Sequence, residues 1–461
     1  MEPITTTILI IAAASALGLT ATGCVSNDTS QDDHRRRDAG DADGPPPDGP
    51  QSIDAGDASA VDGNGVDMAC VQPRNGINDD YAKTIFSPLC VAEDLDIIGE
   101  KIFGVSGYPL NKVFACQIHS DPMETTICTG AFSIDTASQP LDGGAPSPNK
   151  PQQLVDLGDG QLLVTYKTEG SHPNNFVVID NSTYALIQHI ALGAMQYMNG
   201  SSVITVMPRP SDAPVFLNDH LFIATENYNA DTQKYERGTV VVIKRDELDP
   251  NKFDLENVSL FFTNGRNPTA IAAKDDHTIV ILNANGPAST IPTPAGPGEV
   301  PGASIDVVDV SQPANPVFLH NIPIGDVELK KLPNLALTAD KTMAIVGSDT
   351  LPRTIYKVDL SGQNPLQSAK LLNTAGSIIV SIAISQGAPQ KALVSLSDGN
   401  LYVVDLEAMA DVGAGVYLGR SPGPSAISSD GRYLYQSVLQ ANCEEFPEFR
   451  IIAIDTTTAL P

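Results

Sequence analysis

This sequence predicts an all-β chain closed into a β-propeller of four-stranded blades, most simply seven of them, and three observations carry the prediction. One phrase recurs along the chain: a β-prone run that ends in an aliphatic residue followed by Asp. Around most copies stand two further β-runs before the phrase and one after it, separated by Gly, Asp, Asn and Pro. The last copy runs out after its third strand at "IDTTTALP", which leaves an unpaired edge unless an earlier strand completes the unit. The segment from Tyr81 to Leu89 is available for that role.

Taken in order, the phrase appears as "NNFVVID" to Asp180, "GTVVVIKRD" to Asp246 in looser form, and "SIDVVD" to Asp309. It returns as "TIYKVD" to Asp359, "NLYVVD" to Asp405 and "RIIAID" to Asp455. A period near 50 residues with variable insertions marks a repeat architecture. The stretch "EKIFGVSGYPLNKVFACQIHSDPMETTICTGAFSIDTASQP" supplies a divergent seventh unit. Six or eight blades are the neighbouring counts, and a solenoid is the alternative architecture. Helical periodicity is scarce. The recurring Asp is read as a cap for backbone N–H groups in the turn that follows. Pro214, Pro268, Pro333 and Pro424 are read as punctuation at unit starts.

The phrase "GRSPGPSAISSDGRYLYQS" with "RIIAID" resembles the YVTN-type β-propeller repeat. In the same way "IDVVDVSQPANPVFLHNI" resembles the LVIVD-type repeat of bacterial surface proteins. The resemblance covers roughly residues 150–461 and implies the fold rather than an activity. The unit from Asp212 to Gly265 departs from it, lacking the Asp-Gly turn and ending in "IKRD". With no Trp, a WD-type propeller is disfavoured.

At the amino terminus, an apolar run from Ile8 to Leu19 leads to "ATGC", which resembles the bacterial lipobox. The resemblance implies a signal peptide over 1–23, a lipid on Cys24, handling by the lipoprotein processing and sorting machinery, and an outer-membrane address. Ala21 stands where leucine is commoner, and Glu2 replaces the usual positive start. An uncleaved membrane anchor is the alternative. Residues 24–80 form an Asp-, Gly- and Pro-rich tether too poor in apolar groups to fold. A chain of this kind spans about 35 to 40 Å. The propeller occupies 81–461.

Five cysteines remain in a compartment that permits disulfides: Cys70, Cys90, Cys116, Cys128 and Cys443. Cys116 and Cys128 flank a polar turn between two β-runs and are expected to be bridged. Metal-ligand spacing is missing, and no cofactor is expected. The net charge of −28 disfavours nucleic acid as a partner. No G-x-S-x-G, H-E-x-x-H or phosphate loop is present, and the seven histidines are scattered.

The long insertions fall between the second and third strands of their units, on the face that also carries the connections between blades. Long irregular loops on a rigid scaffold commonly bind. Glu226, Tyr228, Tyr235, Arg237, Glu444, Glu445 and Phe446 are therefore the candidate contact residues. A binding or interaction scaffold for an envelope protein or polysaccharide is favoured over an enzyme. The enzymatic alternatives suggested by other propellers are a lactone hydrolase and a quinone-dependent oxidoreductase.

Overall fold

The computed structural model describes residues 82–457, apart from breaks at 87–91, 107–111, 119–127, 134–149, 168–173, 193–194, 200–201, 207–208, 211–212, 227, 230–233, 236, 285–301, 326–334, 349–352, 363–365, 373–376, 388, 414, 419–421 and 441–447. Residues 1–23, read from sequence as a signal peptide, Cys24, residues 24–80, read as a tether, and Cys70, Cys90, Cys443, Pro333 and Glu444 to Phe446 lie outside the described residues.

Seven antiparallel sheets follow one another along the chain. The first blade joins Ala92–Ile98, Lys101–Ser106, Lys112–Gln117 and Cys128–Ser133; the second joins Lys150–Gly158, Gln161–Lys167, Asn174–Asp180 and Leu186–Leu192. In the third blade the first strand is split into Arg209–Pro210 and Val215–Leu217, followed by His220–Glu226, Arg237–Lys244 and Ser259–Arg266. The fourth uses Pro268–Asp275, Thr278–Asn283, Ala303–Asp309 and Val317–Gly325. The fifth uses Leu335–Leu337, Met343–Ser348, Thr354–Asp359 and Leu366–Leu371. The sixth uses Ile379–Ile384, Lys391–Leu396, Asn400–Asp405 and an outer strand split into Ala410–Asp411 and Val416–Tyr417. No helix occurs among the described residues.

Closure follows the sequence expectation. The seventh blade holds Ser425–Ile427, Tyr433–Gln440 and Glu448–Asp455, and its outer strand is the early segment Ala82–Phe86. Ala82 pairs with Ile454, Thr84 with Ile452 and Phe86 with Ile451. First strands touch their neighbours' first strands all the way round, the seventh blade's meeting the first blade's. They therefore line the axis.

Why the middle strands are apolar on both faces is explained by the core. Each of the seven hydrophobic clusters fills one seam between neighbouring blades. Phe103 and Val105 meet Leu162 and Val164 between the first two blades, and Tyr435 and Ile451 meet Ile102 and Phe114 where the ring closes. A strand sandwiched between two seams loses polar alternation, which accounts for runs such as "VVVI" and "TIVIL".

The recurring aspartates act as the caps expected of them. Asp180 accepts from the backbone N–H groups and hydroxyls of both Ser182 and Thr183, and these bonds, led by the Ser182 hydroxyl, hold its carboxyl well below the usual range. Asp309, Asp359, Asp405 and Asp455 accept from the N–H two residues on, at 2.8 to 2.9 Å. The third blade differs. Lys244, opposite His220, takes the register position that Asp180, Asp309 and the others occupy, so Asp246 lies two residues beyond it. Its missing Asp-Gly turn is replaced by Asn218-Asp219, both left-handed at φ 49° and 59°, residues that tolerate this conformation.

Arg245, next in the chain, folds inward. Its guanidinium donates to Leu157 O at 2.8 Å, to Gln161 Oε1 at 3.1 Å and to Pro250 O. It stacks 4.7 Å from the Phe216 ring centroid and 5.9 Å from that of Phe253. One buried side chain thus pins the 245–258 loop of the third blade against the second.

Candidate functional site on the loop face

The two ends of the ring are unlike. At one end, the first and second strands of the first four blades are joined by two-residue turns such as Asp159-Gly160 and Asn218-Asp219. At the other, the second-to-third loops of the third and fourth blades run from Glu226 to Arg237 and from Asn283 to Ala303. Within the first of these, Tyr228–Asn229 pairs with Lys234–Tyr235, setting Tyr228 opposite Tyr235. A second hairpin, Met195–Asn199 with Ser202–Val206, stands in the connection between the second and third blades. The sequence reading missed it, although Asn199-Gly200 between β-runs is a hairpin signal.

Backbone register brings charged positions together at this end of the third blade. Arg209 lies opposite Glu226, and Arg237 opposite Arg266. Of the sequence candidates, Glu226, Tyr228, Tyr235 and Arg237 therefore hold positions at one end of the third blade. Arg209 and Arg266 join them, and neither was singled out from sequence. Three arginine positions and one glutamate across the end of one blade stand out on a chain of net charge −28.

The seam between the third and fourth blades is polar at the same end. Asp306, fully buried, accepts from Asn264 N at 2.8 Å, Asn283 Nδ2 at 3.0 Å and Asn321 Nδ2 at 2.6 Å. Asn283 and Ser304, opposite each other in the fourth blade, are buried as well.

On the innermost strands of the first two blades stand Asp94, Asp96 and Asp156. Asp94 accepts from Leu154 N at 2.8 Å across that seam. Burial pushes the Asp96 carboxyl up to about 6, the Asp156 charge adding to the effect and the Ile97 N–H opposing it. A folded-state value above the unfolded one makes this group's contribution greatest below pH about 4 and lost as pH rises through about 6. Asp96→Asn keeps an acceptor for Ile97 and removes the half-buried charge. The variant should be more stable than the parent at pH 8, by up to about 3 kcal/mol, with the gain shrinking toward zero at pH 4. Urea melts at the two pH values check this; an equal difference at both would refute it.

Among the described residues no group of three or more His, Cys, Asp and Glu side chains is placed to hold a metal. His189 is half-buried on an outer strand, where desolvation lowers its pKa, and His320 is exposed. At the short-turn end, a cleft of about 270 Å³ between the first two blades is lined by Ile98, Glu100, Lys101, Phe103, Gln117 and Asn181. It presents no nucleophile paired with a base.

The sheets and seams make this chain a seven-bladed β-propeller. No family model matches it, and no curated protein does. Among solved structures it is similar to hydrazine synthase of Kuenenia stuttgartiensis, with a TM-score of 0.50 over 80% of this chain and 97% of that one, at 11% identity. At that identity the likeness is one of fold alone. Matches extend to 1278 chains of solved structures, as for a scaffold that hosts many chemistries, so function has to be argued from residues.

Proposed function

We propose that the protein is an exported, lipid-tethered binding module whose propeller presents the loop end of its third and fourth blades to an envelope protein or polysaccharide. The observation that carries this reading is the gathering of insertions, paired tyrosines and arginine positions at one end of adjacent blades. Seven packed seams hold that end rigid, as a binding surface requires. Export is supported by the lipobox-like "ATGC" and by the resemblance to repeats of bacterial surface proteins. It is also supported by the ladder that sets Cys116 directly opposite Cys128. Directly opposed residues have Cα atoms about 4.5 or 5.5 Å apart, within disulfide reach. We infer a bridge there; peptide mapping without reduction should recover the linked pair, and two free thiols in exported protein would count against it.

To test the binding face, residues 227–236 and 285–301 are replaced by short Gly-Ser turns, sparing the ladder ends Glu226, Arg237, Asn283 and Ala303. The shortened protein should keep its melting temperature and lose retention on isolated cell-envelope polysaccharide or on the envelope protein captured by the parent. Unchanged folding with unchanged retention would refute the reading.

A further inference from the structure

We propose that Arg353 anchors a binding site for a singly charged carboxylate, set where the fifth and sixth blades meet at the loop end and separate from the surface of the third and fourth. Two arginines are buried among the described residues, Arg245 and Arg353, each 7% exposed. They are treated in opposite ways. The Arg245 guanidinium has three acceptors and two aromatic rings, with the Asp219 carboxylate 3.9 Å away. Arg353 donates once, from Nε to Ser377 O at 2.7 Å, and its side chain makes no other hydrogen bond and no ion pair among the described residues. Its Nη nitrogens are not among the polar atoms sealed in the interior without a partner, so they open to the surface. The stem lies in the seam and the charged tip at its mouth.

Backbone from two blades holds that tip in place. Arg353 directly precedes the third strand of the fifth blade, Thr354–Asp359, and its carbonyl accepts from Leu372 N at 2.8 Å just past the outer strand. The Nε bond ties the guanidinium to Ser377, two residues before the sixth blade's first strand. The group is therefore positioned before any ligand arrives. A guanidinium keeps its charge in a protein, and arginine is seldom buried without a partner of opposite sign. With Nε committed, one N–H from each Nη remains side by side, which suits the two oxygens of a single carboxylate. The exposed Asp398 carboxylate does not take this place: it accepts from Ser377 Oγ at 2.6 Å and from Asn400 N at 3.0 Å. Its charge, on a chain of net charge −28, weighs against a doubly charged anion such as phosphate.

The test melts the full chain in sodium chloride, acetate, glucuronate, N-acetylglycinate and phosphate at equal ionic strength. The carboxylates should raise the melting temperature over chloride by about 2 to 4 °C, and the rise should saturate with concentration, because a ligand of the native state alone acts by mass action. Exclusion of a salt from the surface does not saturate in this way. Glucuronate ahead of N-acetylglycinate would support the site and assign its carboxylate to an acidic sugar; the reverse order would support it and assign a peptide end. Arg353→Gln, which keeps a donor for Ser377 O, should lose the saturable rise, and Arg353→Lys should keep less than half of it for want of the planar fork. No saturable rise in the parent, a full rise retained in Arg353→Gln, or a saturable rise in phosphate as large as in the carboxylates would each overturn the proposal. Should Arg353→Gln not fold, the parent's preference for carboxylates over phosphate and the Arg353→Lys comparison decide it.

Discussion

Removing residues 1–90, and with them the strand Ala82–Phe86, should abolish cooperative melting and drive the protein into large aggregates. The seventh blade would lose its outer strand, and Glu448–Asp455 would become an edge carrying the apolar run Ile451 to Ile454. Such an edge is a template for intermolecular pairing. The ladder hydrogen bonds lost are worth roughly 0.5 to 1.5 kcal/mol each, and together with the apolar cover lost from Ile451 to Ile454 they consume much of a typical stability of about 5 to 15 kcal/mol. Removal of residues 1–80, which spares the strand, should leave the melt unchanged. Size-exclusion chromatography and calorimetry of the two truncations decide the matter; a monomeric, normally melting 91–461 chain would show that closure needs no such strand.

The second large effect is expected at Arg245. Arg245→Met fills similar space but leaves Leu157 O and Gln161 without their donor and dissolves the stack between Phe216 and Phe253. The 3.9 Å ion pair with exposed Asp219 adds little to the loss. The loss should be about 3 to 4 kcal/mol, read as a lower urea midpoint. Arg245→Lys should recover less than half of it, because an ammonium keeps the charge but not the planar fork. A loss below about 1 kcal/mol in the Met variant would mean that the 245–258 loop is not held by this side chain.

Much of this architecture was legible because its determinants are local. The turn-capping Asp follows its strand directly, the type of residue at each short turn sets the hairpin, and the missing fourth strand at the carboxyl end announces itself by its absence. The third blade was harder, because its determinants are not local. Asp246 caps Leu248 N at 2.8 Å as its spacing implies, yet it does so two residues past the ladder position, which Lys244 takes, and only register could show that shift. Arg209, Arg237 and Arg266 stand at one end of the third blade because their strands end at one level, a fact no linear window contains. Within "SIDVVD" two aspartates stand three apart and so fall on opposite faces of one strand. Asp309 caps a turn in solvent, while Asp306 is buried in a seam. Composition treats them alike, and packing separates them.

The pairing of Ala82–Phe86 with Ile451 to Ile454 also sets an order of events in time. Ala82–Phe86 precedes six blades in the chain and Glu448–Asp455 follows them, so those blades can form their internal ladders while the ring itself stays open until the two strands pair. Folding that ends on so long-range a contact is slow, and the open intermediate is the aggregation-prone one. Once shut, the same contact acts as a latch: opening any seam must wait on unzipping a strand held at both ends of the chain, and the native state is then protected by its unfolding rate as well as by its free energy.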